Sequence, residues 1–177
     1  SKVELVDDSS ITELKVAENG RIVFGIGRDE TQTKTLHVTL GNGEIIHKKI
    51  SVEPRKFEIE NINGVPQETV TPNPANAARI EAEQAEVTSA RLRNDLRLDF
   101  DTNFSWPVSG RVSGVYGSQR IYNGTPKSWH SGLDVAAAQG TPIKAPAGGI
   151  ITFAKPDLYL TGGTVLIDHG MSISANF

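Results

Sequence analysis

A histidine and an aspartate four residues apart, His130 and Asp134, constrain this chain more than any other feature. Both residue types bind metal ions, and Gly132 lies between them. In a straight strand four residues span about 13 Å, too far for both side chains to reach one ion about 2 Å from each. A helix would also bring the two positions together, but Gly132, Val135 and Pro142 disfavour a helix. If the pair shares a metal, the chain must bend, and Gly132 permits unusual backbone angles.

The motif alone leaves a second interpretation open. His130 could be a surface histidine followed by an unrelated aspartate, because a single His-x-x-x-Asp pattern is a weak motif. If the pair binds zinc, the protein is a hydrolase, since zinc with an open coordination position activates water. The chain has no cysteine, which excludes disulfides and thiolate zinc sites.

Residues 104–177 resemble the first half of a LytM/lysostaphin-type zinc metallopeptidase domain. The resemblance rests on runs in the family's order and spacing: FSWPVSG at 104–110, GVYGSQR at 114–120, WHSGLD at 129–134, GTPIKAP at 140–146, GGII at 148–151 and GGTVLIDHG at 162–170. It implies that His130 and Asp134 are two of three zinc ligands. The third ligand and the catalytic histidines belong to Tyr-x-His and His-x-His segments, which are expected beyond Phe177 and are absent from this chain.

The resemblance also implies a function. A complete domain of this type is a zinc-dependent endopeptidase that cleaves peptide cross-links of bacterial peptidoglycan. We therefore expect Zn²⁺ as cofactor, peptidoglycan as partner, and a periplasmic or extracellular location. Without the third ligand, the chain alone is expected to be inactive. The alternative is a non-catalytic LytM-like cell-wall binding protein or amidase activator that acts with a partner protein. The intact His130 and Asp134 favour the enzyme.

Two more residues of this half are candidates for the site. Arg120 matches an arginine found near the groove of many relatives, where it could hold a substrate carboxylate or carbonyl. It could equally form a structural salt bridge. His169 is the only other histidine in this half and the obvious third metal ligand from sequence alone. The family pattern argues against that role, because the equivalent position is not a zinc ligand there.

The predicted fold class is mainly β. Residues 1–60 are expected to form a β-sandwich-like module, with strand-like runs at 11–16, 21–26, 35–40 and 44–52 and turn signals at 19–20 and 41–43. The second turn fits a three-residue hairpin with glycine in a left-handed position. His37 and His47 occupy strand positions here and are interpreted as surface or packing residues.

Residues 61–103 are predicted to connect two domains. The segment 61–73 is interpreted as a linker, and a helix is expected over 74–98, with Asn73 as its cap and Pro74 in its first turn. Residues 104–177 are then the first half of a LytM-type antiparallel β-sheet domain, with strands near 148–153 and 164–168. The net charge of −3 and the lack of a basic segment exclude a nucleic-acid footprint. No apolar run approaches 18 residues, so we expect no transmembrane segment.

Overall fold

The computed structural model describes residues 1–66 and 73–177. Residues 67–72, part of the expected linker, lie outside the described residues. The chain divides into two compact units. The first comprises Ser1–Lys56 with Asp95–Leu98, and the second comprises Phe57–Asn94 with Asp99–Phe177. The described residues are mostly strand and loop with one helix, which confirms the predicted mainly β class.

The first unit contains a four-stranded antiparallel sheet. Its strands are β1 (Lys2–Val6), β2 (Ile11–Leu14), β3 (Lys34–Thr39) and β4 (Ile45–Ile50), in the order β2-β1-β3-β4. The β3–β4 hairpin has the predicted form, because Gly43 adopts φ +86° and its N–H donates to Leu40 O at 3.0 Å. His37 and His47 lie directly opposite each other, with ring centroids 4.4 Å apart in an edge-to-face arrangement.

Two expectations for this unit were wrong. Its described residues form one sheet, where a sandwich would have two, and residues 21–26 form no strand. Gly25 and Gly27 interrupt that segment, and glycine weakens a strand because it has no side chain to pack.

The first unit also contains a buried cation, the side chain of Lys34. Lys34 Nζ donates to Asp7 Oδ2 at 2.7 Å and to Glu30 Oε2 at 2.9 Å, so its charge is paired on both sides.

The second unit contains eight strands and the helix among its described residues. They are β5 (Ile59–Ile62), α1 (Pro74–Ala90), β6 (Arg111–Gly114), β7 (Gln119–Tyr122), β8 (Thr125–Pro126), β9 (Asp134–Ala136), β10 (Ile150–Leu158), β11 (Gly162–Asp168) and β12 (Ser174–Asn176). They form the sheets β10-β11-β12, β5-β7-β8 and β6-β9. All pairings are antiparallel except β5 with β7, which is parallel. The buried core lies along β11, around Leu166 and Ile167.

The helix begins as predicted and ends earlier. The Asn73 side chain accepts a hydrogen bond from the Ala75 N–H at 2.9 Å, and Pro74 occupies the first turn. The expected end at residue 98 is wrong, because α1 stops at Ala90. The helix buries no residue, so no apolar face stabilises a longer one. Beyond its end, Arg93 donates to the buried Asp168 at 3.2 Å. No described helix combines the length and apolar character needed to cross a bilayer.

Candidate metal centre and groove

The structure brings His130 and Asp134 together. His130 Nε2 lies 3.0 Å from Asp134 Oδ1, although the two residues are four apart in a non-helical segment. Asp134 begins β9, and the chain bends at Gly132 as the spacing argument required. The bend does not use the conformational freedom of glycine, since Gly132 has no positive φ and a Cβ there would meet nothing within 4 Å.

The loop between β6 and β7 holds the His130 ring and backbone. His130 Nδ1 lies 3.1 Å from the carbonyl oxygen of Val115. The His130 N–H donates to Ser118 O at 2.7 Å, and the His130 carbonyl accepts from the Gly117 N–H at 2.8 Å. Next to it, Trp129 packs edge-to-face on Tyr116 in the same loop. These contacts fix both the position and the orientation of the imidazole.

Gly114 makes room for the pair, and sequence reasoning missed its role. It lies opposite Asp134 across the irregular β6–β9 pairing. A Cβ at Gly114 would overlap the Asp134 carboxylate and lie 3.2 Å from His130 Cε1. An isolated glycine at the end of a strand is the signal that could have found it, because such glycines often mark a bulge or a close approach.

The hydrogen-bond geometry determines what the pair can bind. A carbonyl oxygen only accepts, so in the contact with Val115 the hydrogen belongs to His130 Nδ1. In the neutral ring, Nε2 then directs a lone pair at the Asp134 carboxylate. Two lone pairs 3.0 Å apart repel each other unless a cation, either a ring proton or a metal ion, lies with them. Two ligands about 2.0 Å from a tetrahedral zinc ion are separated by roughly 3.3 Å, so the observed spacing fits one ion.

His169 lies apart from this pair. Its side chain is fully buried, with Nδ1 2.5 Å from Gly148 O and the ring 5.1 Å from that of Phe104. Nε2 has no hydrogen-bond partner among the described residues. Within residues 1–66 and 73–177, no three histidine, aspartate or glutamate side chains are grouped to hold a metal. His169 is therefore a core residue here.

A groove of about 1200 Å³ opens beside the pair. His130, Asp134 and Arg120 all line it. Arg120 Nε donates to Glu60 Oε2 at 3.2 Å, so the salt-bridge alternative is present in the structure. The hydrogen bond with Tyr122, followed by that with Glu60, raises the pKa of Arg120. A role for Arg120 in substrate binding remains a proposal.

Comparisons with known proteins find a family-model match that includes this site. Residues 128–177 match the model of peptidase family M23. The cell division protein DipM of Caulobacter vibrioides is 29% identical over 100 residues, which cover 56% of this chain and 15% of DipM. The crystal structure of a proposed M23 peptidase from Pseudomonas aeruginosa is 26% identical, with a TM-score of 0.63. That match covers 99% of this chain and 65% of the Pseudomonas chain. The chain thus spans less than two thirds of either protein.

These matches confirm the resemblance to LytM-type peptidases. The M23 segment starts two residues before His130 and contains Asp134 and strands β9 to β12. Part of the groove lies outside it. Residues 58–60, 112–115 and 118–120 line the groove and precede the M23 segment. Sequence reasoning assigned residues 58–60 to the N-terminal module, and the structure pairs them with β7.

Proposed function

We propose that this protein is a zinc-dependent endopeptidase that cleaves peptide cross-links of bacterial peptidoglycan. The observation that carries the proposal is the 3.0 Å approach of His130 Nε2 to Asp134 Oδ1, with Nδ1 fixed by the Val115 carbonyl. The M23 match supports the peptidase class. The M23 match does not extend to cleavage of peptidoglycan or to dependence on zinc. Digestion of purified peptidoglycan in the presence of zinc tests both.

The chain's own residues would bind and orient the ion. His130 Nε2 and the Asp134 carboxylate are the proposed ligands, a nitrogen and oxygen set that suits zinc. The Val115 carbonyl acts through His130, since accepting the Nδ1 hydrogen selects the tautomer whose Nε2 can bind metal. When bound, zinc supplies Lewis-acid activation of water and of the substrate carbonyl. The groove beside the pair is large enough for an extended peptide.

The proposed substrate determines the proposed location. Peptidoglycan lies outside the cytoplasmic membrane, so we propose a periplasmic or extracellular protein. The similarity to a cell division protein, DipM, supports a role at the cell envelope. Arg120, which lines the groove, is the proposed contact for a substrate carbonyl or carboxylate, provided that its ion pair with Glu60 opens.

A second candidate function is non-catalytic binding at the cell wall, including activation of an amidase. The observation that favours it is the similarity to DipM, whose name describes a cell division protein and not a peptidase. A protein of this kind would bind peptidoglycan through the same groove and release no peptide from it.

Digestion of purified peptidoglycan separates the two candidates. The full-length protein would be incubated with zinc and the polymer, and soluble products identified by mass spectrometry. The enzyme proposal requires cross-link peptides to be released, and release to stop in His130→Ala. His47→Ala is the matched control, because it removes a histidine of the first unit and should leave release unchanged. Binding to the polymer with no release would favour the second candidate. Release that persists in His130→Ala would contradict the proposed site.

A further inference from the structure

The loop between β6 and β7, residues 115–118, is the part of the backbone that holds His130. Three of its residues bond to His130, through the Val115 carbonyl, the Gly117 N–H and the Ser118 carbonyl. Gly117 is buried within this loop and has a left-handed backbone, with φ +85°. A side chain that packs on Gly117 therefore acts on the loop that orients the imidazole.

The half-buried ring of Phe57 is such a side chain. A Cβ at Gly117 would overlap Phe57 Cδ1 and Cε1, so the ring fills the space next to the glycine. The same ring meets Tyr116 edge-to-face, with ring centroids 6.3 Å apart. Tyr116 packs in turn on Trp129, the residue before His130, with centroids 5.4 Å apart. Phe57 thus contacts two residues of the loop, and one of them contacts the neighbour of His130.

Strand β5 fixes the backbone beside Phe57. This strand pairs in parallel with β7, and the Glu58 carbonyl accepts from the Gln119 N–H at 2.9 Å. At the other end of the strand, the Ile62 carbonyl accepts from the Asn123 N–H at 2.9 Å. These bonds involve backbone atoms alone. Replacing the Phe57 side chain should therefore remove packing from the loop and leave the strand in place.

The position of Phe57 excludes a direct role in the groove. Phe57, Tyr116 and Gly117 are not among the described residues that line it. Phe57 also lies outside residues 128–177, the segment that matches the M23 model. A metal ion or a peptide in the groove would be affected by Phe57 through the loop and not by contact with its ring.

We propose that Phe57 is a positioning residue for the metal-binding pair, because its ring holds the loop where the Val115 carbonyl can accept the His130 Nδ1 hydrogen. The inference rests on the proposed function, which makes His130 Nε2 a metal ligand. Fixing the Nδ1 hydrogen selects the tautomer and the ring orientation in which Nε2 faces Asp134. Without the Phe57 ring a void would remain beside Gly117, and glycine has the conformational freedom to let the loop move into it.

Amide hydrogen exchange of the metal-free protein, followed by NMR, tests the proposal. In Phe57→Ala, the Gly117 and His130 amides should exchange about tenfold faster relative to a reference amide, because the loop opens locally. The reference is His169, a fully buried residue whose N–H donates to Ile173 O at 2.8 Å. A loss of stability across the whole second unit would instead accelerate all three amides together.

Zinc affinity provides the second readout. Competition with a chelator should show about tenfold weaker binding in Phe57→Ala, the lower end of the range for groups that orient metal ligands. Phe57→Tyr keeps the ring and should retain both the exchange ratio and the affinity. If the unchanged protein binds no zinc, the proposed function fails, while the exchange ratio still decides the positioning role.

A phenylalanine elsewhere in the same unit is the matched control. Phe153 is half-buried on β10, and Phe153→Ala should leave the exchange of the Gly117 and His130 amides unchanged relative to His169. If Phe57→Ala does not fold, Phe57→Leu replaces it and should raise the ratio by a smaller factor. An unchanged ratio in the folded Phe57 variant, or the same rise in Phe153→Ala, would overturn the proposal.

Discussion

At the residue scale, the metal-binding pair depends on a glycine that is not in its motif. Gly132 lies between His130 and Asp134, yet its backbone angles are open to other residues and its missing side chain leaves empty space. Gly114, on the opposite strand, is the position where a Cβ cannot fit. Glycine is therefore required at position 114, where the strands contact each other, and not at position 132 in the turn.

A pair of alanine substitutions tests this distinction. Gly114→Ala should displace the Asp134 carboxylate and lower zinc affinity by roughly 10- to 100-fold, the range seen when groups that orient metal ligands are lost. Gly132→Ala should change zinc affinity less than threefold, because its Cβ meets no atom within 4 Å. Isothermal titration of each folded variant with zinc gives both numbers. A larger loss in Gly132→Ala than in Gly114→Ala would contradict the account.

At the scale of elements, sequence patterns predicted local features and missed those decided by distant partners. The cap at Asn73 and the hairpin at Gly43 follow from neighbouring residues, and both were predicted correctly. Strand β5 pairs with β7, which is distant in sequence, and the prediction divided its residues between the N-terminal module, which ended at residue 60, and the linker. The helix end at Ala90 was missed for the same reason, since Arg93 leaves the helix to contact Asp168.

Two glycines with similar backbone angles test whether the contact of Phe57 with Gly117 stabilises the region where β5 pairs with β7. Gly117 has φ +85° and Gly124 has φ +79°, so alanine at either position incurs backbone strain of about 1–2 kcal/mol. Only at Gly117 would the new Cβ also overlap Phe57. We expect Gly117→Ala to be more destabilising by about 1–3 kcal/mol, the usual cost of overpacking. Urea unfolding measures the difference, and equal losses of stability would show that the Phe57 contact does not stabilise this region.

The cluster around Lys34 predicts how stability depends on pH. The hydrogen bond from Lys34, followed by those from Ser9 and Ser10, lowers the pKa of Asp7 well below its ordinary value. The Gln32 N–H, followed by Lys34, lowers the pKa of Glu30. A carboxyl whose pKa is lower in the folded state stabilises the fold above its unfolded pKa, and this contribution is lost as pH falls through the folded pKa. The melting temperature of the first unit should therefore fall as pH drops below about 4.

Substituting one carboxylate of this cluster tests the assignment. Asp7→Asn should lower the melting temperature at pH 7 and flatten its decline in acid, because one of the two carboxyls with a lowered pKa is gone. Asp8→Asn is the control, since Asp8 is exposed beside the cluster. Melting followed by circular dichroism from pH 2 to pH 7 provides the comparison. An unchanged acid slope in Asp7→Asn would show that the cluster does not govern acid unfolding.

At the scale of the whole molecule, the site and the groove differ in how far sequence could predict them. His130 and Asp134 were recognisable because few residue types bind metals and the spacing required a bend. The groove was not recognisable, because its lining comes from residues 58–60, 112–115, 118–120 and 127–131, segments that only folding brings together. Arg120 shows how far the sequence could predict the groove. Its residue type allowed either a substrate contact or a salt bridge, and only the structure identifies Glu60 as its ion-pair partner.

The central claim is that His130 and Asp134 bind zinc, and a zinc titration against a fluorescent chelator tests it most directly. The account predicts one zinc ion per chain, bound through this pair. The described residues supply two ligands, half of a tetrahedral set, so we expect this chain to bind zinc with affinity well below that of three- and four-ligand sites.

Three variants decide the outcome. Binding should be lost in His130→Ala and in Asp134→Ala, and should persist in His47→Ala, which removes one ring of the His37–His47 contact in the first unit. Zinc binding that survives in His130→Ala and Asp134→Ala, or that disappears only in His47→Ala, would contradict the claim.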